Sequence, residues 1–221
     1  MAVLCSDGST DGTTQFIEKV AQQDGRFKCQ FTTENMGAAF QRHQAIMTHA
    51  INDDDVLILV GLDDEVLPNC LTVIDKQYMA GNLMTYGNWI DEHGSTLQKE
   101  GFNINFSEEV HRNRSYRQDI YRSTGLNTFK FLLYKNIPPE DLQIDGKWIN
   151  STTESEVMFS CLEMCGKERI GVILEPIVKY NRYLPKRSLN RLGDKYGTNL
   201  GREYKYQILA IIKARPKRDL I

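Results

Sequence analysis

The chain has 221 residues, 41% hydrophobic and 25% charged, with a formal net charge of -2. That length supports one good-sized core and leaves two full domains cramped, and the ordinary composition admits either an enzyme or a binding module. No apolar run approaches the length of a membrane span, and the opening MAVLCSDGST has neither a basic region nor a cleavage pattern, so no spanning helix or secretory signal is visible. Cys5, Cys29, Cys70, Cys161 and Cys165 form no CxxC pair. Reduced, mostly buried thiols in a cytoplasmic protein fit them better than a disulfide frame or a zinc site.

Elements alternate along the chain. Ala2 to Cys5 reads as a short strand, and Asp11 can N-cap a helix from about Thr13 to Gln22 with Phe16, Ile17 and Val20 inward. A second strand follows at Phe27 to Thr32. Asn35-Met36-Gly37 then turns into a helix from about Ala38 to Ala50, with Phe40, Ile46, Met47 and Ala50 at helical spacing. Val56-Leu57-Ile58-Leu59-Val60 is continuous, apolar and mostly β-branched, the pattern of a strand buried on both faces. A helix starting near Pro68 and a strand at Leu83 to Trp89 come next. From about Glu100 to Tyr121 polar residues dominate and predict a long loop. Helices are expected at Thr128 to Asn136 and Glu154 to Cys165, and a late strand at Ile170 to Val178. Strands separated by helices of this length predict an α/β fold with a mostly parallel sheet flanked by helices, Rossmann-like in its nucleotide-binding layout. The division expected is one domain over 1–181 and a basic extension over 182–221.

Two segments carry the chemistry. Gly61-Leu62 leads from the apolar strand into Asp63-Asp64-Glu65, at the carboxyl edge where open α/β sheets bind ligands. Adjacent carboxylates repel, and a hard divalent cation is the usual relief, although a charged turn would look the same in isolation. The other segment is Ser6-Asp7-Gly8-Ser9-Thr10-Asp11-Gly12-Thr13, between a strand and a helix whose N-terminus offers unpaired N–H groups. Asp7, Ser9, Asp11, Gly12 and Glu18 also match positions of a calcium-binding EF-hand loop, which would need a helix before Asp7.

Charge is uneven. From Lys179 to Ile221 there are twelve Lys and Arg against three acids, so the rest of the chain is strongly acidic. A basic segment beside an acidic body suggests an anionic partner, a diphosphate, a membrane surface touched peripherally or a nucleic acid, while Tyr204 to Ala214 reads as a solvated helical surface.

These segments together resemble family 2 glycosyltransferases of GT-A fold. Asp7 through Thr13 is similar to their DDGSTDGT signature, and Asn35-Met36-Gly37-Ala38-Ala39 with Arg42 to their N-x-G-x-x-x-A-R-N segment. Leu59 through Asn69 resembles the L-D-x-D-D-x-L-L-P-N stretch with its DXD metal site. Thr128-Phe129-Lys130, Glu140-Asp141-Leu142 and Leu162-Glu163-Met164-Cys165-Gly166 resemble a branch with T-F-K, E-D-L and L-E-M-x-G landmarks. The resemblance spans about Ala2 to Asn181.

It implies an inverting hexosyltransferase that moves a sugar from a nucleotide-sugar donor, a UDP-sugar, to the hydroxyl of a saccharide, lipid-linked or protein acceptor. Nucleic acid is not an implied partner. Asp7 matches the acid that recognises the nucleotide base, with Asn35, Gly37 and Arg42 beside it. Asp63 matches the acid near ribose and metal, and Asp64 the ligand of Mn²⁺ or Mg²⁺ on the diphosphate. Glu154, with Glu156 next in line, stands where the general base belongs, although acids also open helices simply to complement the macrodipole. Trp89 and Asp91 fall where an acceptor sugar could stack, and a core Trp is the equal alternative. Lys186, Arg187 and Arg191 fall in the segment that folds over the donor.

The chain departs from the family pattern in three places. Gly61 replaces the first Asp of D-x-D-D, and Glu154 replaces an Asp. The family places a further strand–helix unit before the segment that here begins at Ala2. A start upstream of Met1, substitution by other segments, or a decayed or split product would each account for that. The competing expectations are an inactive GT-A remnant acting as a binding protein and a calcium module at Asp7 to Glu18.

Overall fold

The computed structural model describes residues 1–61, 63–181 and 203–221. The strands are β1 (Ala2–Asp7), β2 (Phe27–Thr32), β3 (Val56–Leu59), β4 (Glu65–Val66), β5 (Met84–Gly87), β6 (Ile90–Asp91), β7 (Asn127–Lys130), β8 (Gln143–Ile144), β9 (Lys147–Trp148), β10 (Ile170–Ile173) and β11 (Val178–Tyr180). The helices are α1 (Thr13–Gln23), α2 (Ala38–His49), α3 (Cys70–Met79), α4 (Glu108–Asn113), α5 (Phe131–Tyr134) and α6 (Thr153–Cys165), and residues 203–213 are also helical. They fall into two compact units: Met1–Ile51 with Pro138–Thr153, and Asn52–Ile137 with Glu154–Ile221. The stretch 203–221 therefore belongs to the second unit and does not stand apart as an extension.

The first unit is built on a βαβ crossover. β1 and β2 pair in parallel from Ala2↔Phe27 to Asp7↔Thr32, which requires the connecting helix α1. Ile17 is buried under α1, whereas Phe16, expected inward, is 66% exposed. Ile17 is the buried centre of a half-buried stripe through Thr13, Val20 and Ala21, and Phe16 lies about 100° around the helix from Ile17. Met47 likewise faces outward from α2, whose buried residues are Ala39, Gln41, Ala45 and Ile46. The helix α1 is capped by Gly12 instead of the expected Asp11, whose carboxylate accepts from Thr13 N and Thr13 Oγ1 one step outside the observed cap.

The second unit carries a four-stranded sheet in the order β10-β5-β7-β3. β10 runs parallel to β5, but β7 pairs antiparallel with both β5 and β3, so the fold is α/β with a mixed main sheet, and "mostly parallel" describes it loosely. The insertion of β7 also corrects the helix expected at Thr128 to Asn136. Residues Asn127–Lys130 are strand, and only Phe131–Tyr134 form a helical turn. Short β-branched and aromatic runs take the state their neighbours offer. Here Thr128 Oγ1 lies 2.7 Å from both Thr85 Oγ1 and Tyr78 Oη in the interior. Among the described residues β3 pairs only with β7, and Val56 is 36% exposed, against the expectation of a strand buried on both faces. The single late strand expected at Ile170 to Val178 is two, β10 and β11, separated by a segment containing Pro176.

The expected loop at Glu100 to Tyr121 is packed. Ile104, Phe106, Tyr116 and Arg117 are buried, and α4 is capped by Ser107 Oγ accepting from Val110 N. Arg117 explains why a polar stretch goes inside. Its guanidinium bonds Glu156 through Nη1 (3.0 Å) and Nη2 (3.1 Å) and Glu163 through Nε (2.9 Å), and its Nη1 also bonds the Ile212 carbonyl (2.8 Å). The C-terminal segment covers this cluster, with Arg215 Nη1 3.0 Å from Glu156 Oε2 and Arg218 N donating to Glu163. Burial pushes the Glu163 carboxyl up, against the pull of its bond from Arg117.

Hydrogen-bonded charges of this kind are costly to break on one side only. Arg117→Met should cost about 3–5 kcal/mol in urea unfolding. A loss within the scatter of surface substitutions would show the cluster is not closed as described.

Candidate active site

In the first unit, the functional candidates gather at the carboxyl end of β1. Asp7 Oδ1 accepts from Met36 N (2.7 Å), Gln41 Nε2 (3.0 Å) and Thr32 Oγ1 (3.3 Å). Its Oδ2 accepts from Gly37 N (2.9 Å). Asn35 Nδ2 reaches the Asp7 carbonyl at 3.2 Å. The carboxylate thus organises the turn before α2, and among the described residues Oδ2 keeps one acceptor direction open. Gly8 is required here: at φ +67 an added Cβ would sit 2.8 Å from the Asn35 nitrogen. Arg42 points elsewhere, donating through Nη1 to Thr153 Oγ1 at 2.6 Å.

This arrangement removes the calcium reading. The segment before Asp7 is a strand paired with β2, where an EF-hand needs a helix. Asp7 is, besides, surrounded by N–H and O–H donors, which suit an anion and compete with a cation. An aromatic group that the sequence reading missed lies in the same unit. Trp148 packs its ring 5.1 Å from His43 and 5.5 Å from Phe40, and burial holds the His43 pKa down. Its hairpin turns at Asp145 and Gly146, both with positive φ, and the Asp-Gly pair is the signal that announces such a turn.

In the second unit, the acids follow β3. Asp64 N donates to the Gly61 carbonyl at 3.1 Å, which turns the chain and folds both carboxylates back over the glycine. A Cβ added at Gly61 would stand 2.7 Å from Asp63 Oδ1 and 3.2 Å from Asp64 Oδ2. With glycine at 61 the two carboxylates can lie over this position, and a side chain there would make their ends shift. β4 continues from the acids and pairs antiparallel with β11, and Asn181 at the end of β11 fastens the turn. Its N donates to Asp64 Oδ1 (3.3 Å), and its Nδ2 to the Asp63 carbonyl. Asn181 is a second residue the sequence did not single out, since a lone Asn after a strand carries no distinguishing pattern.

Asp63 is exposed and Asp64 half-buried. Burial raises the Asp64 carboxyl above its ordinary value, the Asn181 N–H opposes this, and the neighbouring Asp63 charge adds to the rise. Among the described residues no three His, Cys, Asp or Glu side chains cluster to hold a metal by themselves. Two converging carboxylates do fit an ion of the Mg²⁺ type, which takes one or two carboxylates and completes its shell with phosphate oxygens and water.

The remaining candidates separate cleanly. Trp89 is 8% exposed and packs against Tyr180 at 5.7 Å, and Asp91 is 4% exposed with Oδ1 accepting from His93 N and Ser95 N. Both side chains are buried, which for Trp89 is the core setting weighed as the alternative to stacking. Glu156 is fully buried with both oxygens in the Arg117 cluster, where no acceptor hydroxyl reaches it. Glu154, in the same first turn of α6, is half-buried. Lys186, Arg187 and Arg191 lie outside the described residues. In the part of the basic segment that is described, the cations Lys213 to Arg218 are engaged within the fold. Lys213 Nζ bonds the Asp119 carbonyl at 2.6 Å, Lys217 Nζ bonds the Asn113 carbonyl at 3.2 Å, and Arg215 and Arg218 enter the cluster. No helix among the described residues is long and apolar enough to cross a membrane.

The fold has solved counterparts. The chain is similar to the crystal structure of S. aureus TarS 1-349, with a TM-score of 0.60 and 14% identity over 95% of this chain and 55% of that one. It is also similar to the crystal structure of S. aureus TarS, with a TM-score of 0.55 and 15% identity over 95% of this chain and 36% of that one. It therefore spans about half the length of the shorter of these. No curated protein matches it. The model of Glycosyl transferase family 2 matches residues 2–136, covering both the Asp7 turn and the Asp63–Asp64 turn. With that match over more than half its length and its GT-A type fold, this chain belongs to glycosyl transferase family 2.

Proposed function

We propose that the chain transfers a sugar, with inversion, from a nucleoside diphosphate sugar, a UDP-sugar, to an acceptor hydroxyl. The observation that carries this reading is the convergence of Asp63 and Asp64 over Gly61 at the end of β3. Asp63 and Asp64 would hold Mn²⁺ or Mg²⁺ against the donor diphosphate. When bound there, the ion supplies Lewis-acid neutralisation of charge on the departing nucleoside diphosphate. Asp7, through its open acceptor direction, and Asn35 read the nucleotide base. The family resemblance assigns Lys186 and Arg187 to the diphosphate. Glu154 takes the proton from the acceptor hydroxyl as that oxygen attacks the anomeric carbon from the face opposite the leaving group.

The test is release of nucleoside diphosphate from a panel of nucleotide sugars, with Mn²⁺ and with chelator. Release that requires the metal supports the reading. Absence of release from every donor, with the acceptor classes supplied, overturns it in favour of a non-catalytic binding protein.

The raised Asp64 carboxyl adds a pH dependence with a definite sign. Its proton is held to higher pH than on an ordinary aspartate, and it must leave before a cation binds. Metal-dependent binding of UDP should thus weaken as pH falls through the mildly acidic range, above the window of an unperturbed Asp. Titration calorimetry at successive pH values checks this, and Asp64→Asn should flatten the profile.

A further inference from the structure

The Arg117 cluster has a feature that stability alone does not explain. Arg117 bridges two carboxylates two turns apart on one face of α6, Glu156 and Glu163, with Ser160 Oγ between them donating to Glu156 Oε1 at 2.8 Å. One guanidinium is thereby divided between two acids. Glu156 receives a second one, Arg215, delivered by the segment that follows the helix at 203–213. That segment is itself pinned on both sides: Arg114 Nη1 bonds the Arg218 carbonyl at 2.9 Å, and Ile221 N donates to the Met164 carbonyl at 3.1 Å. Glu156 lies two residues from Glu154, in the same first turn of α6.

That first turn needs an anchor. The chain enters it through Thr152 at φ 51, a left-handed conformation unfavourable for a β-branched residue. Such strain persists only where the surroundings over-determine it. The side chain also bonds locally, Thr152 Oγ1 donating to the Ser151 carbonyl at 2.7 Å, which does nothing to hold the following turn. Beside the Arg42 bond to Thr153 Oγ1, the polar hold on the first turn of α6 is the Glu156 ion pair.

We propose that Arg215, acting with Arg117 through Glu156, is a positioning residue that fixes the first turn of α6 and so the direction in which Glu154 points. The C-terminal segment is then part of the transfer machinery, although it lies far along the chain from the family's motifs. This rests on the reading of Glu154 as the base.

The test compares wild type with Arg215→Met, which leaves Glu156 paired to Arg117 and so keeps the fold, and with Arg215→Lys, which restores a charge. Hydrogen exchange is followed at the Val157 and Met158 amides, which close the first helical turn. In Arg215→Met these should exchange about tenfold faster while Leu162 keeps its protection, a local opening rather than a global one. Turnover of the nucleotide sugar should fall by about 10²-fold at unchanged donor KM, the scale of a misplaced catalytic group. Arg215→Lys should recover part of both. Unchanged exchange overturns the anchoring whatever the turnover does, and faster exchange with unchanged kcat overturns the positioning. A wild type without turnover whose Arg215→Met variant still shows faster exchange would overturn the glycosyl-transfer reading while leaving the anchoring in place.

Discussion

Glu154→Gln should lower kcat by about 10²–10⁴-fold, the usual contribution of general-base assistance, with donor KM nearly unchanged. Gln keeps the size and the half-buried setting of Glu154 while losing the ability to accept a full proton. A fall in kcat alone places the loss in the transition state rather than in donor binding. Glu156→Gln is the informative companion. Glu156 sits with both oxygens bound to Arg117, so its replacement leaves a buried guanidinium undercompensated and should lower the unfolding midpoint. A variant that unfolds earlier and a variant that turns over slowly are different failures, and the two acids should divide between them. If Glu154→Gln keeps wild-type kcat, the base lies elsewhere.

Asp64→Asn should remove metal-dependent binding of UDP, by about 100-fold or more, since even supporting groups around a metal are worth 10–100-fold. Asn keeps the shape and can still accept from Asn181 N, so the turn after β3 should survive. Asp63→Asn should be nearly as damaging, because with glycine at 61 no third carboxylate stands there to compensate. Circular dichroism and the unfolding midpoint should stay near wild type in both. Retained metal-dependent affinity in Asp64→Asn would take the metal away from this turn.

The parts of this molecule legible in the sequence are those set by local chemistry. The β1–α1–β2 crossover, the turn at Asn35 to Gly37 and the turn after β3 are written in short motifs whose glycines and acids have few other uses. At Gly8 the backbone approaches Asn35 too closely for a side chain, and at Gly61 the carboxylates occupy the space. What could not be read is set by partners remote in sequence. β7 looks helical until β5 and β3 pair with it, and its Thr128 is chosen by Thr85 and Tyr78. Phe16 fell one position outside a stripe that only the sheet beneath defines. Arg117 made its segment look like a solvated loop, because nothing nearby announces Glu156 and Glu163 as its partners, and the same two acids drew Arg215 and Arg218 out of an apparently solvated tail. Glu154 and Glu156 show the limit most sharply. They are alike in sequence, and burial alone separates the candidate base from the buried ion pair.

The central claim is that Asp63 and Asp64 hold a divalent ion against a nucleoside diphosphate. The most direct measurement is calorimetric titration of the wild-type chain with UDP, in Mn²⁺ and again in chelator. The account predicts saturable binding at one site in Mn²⁺ and its loss in chelator. Equal affinity with and without the metal would contradict it, as would no binding in either.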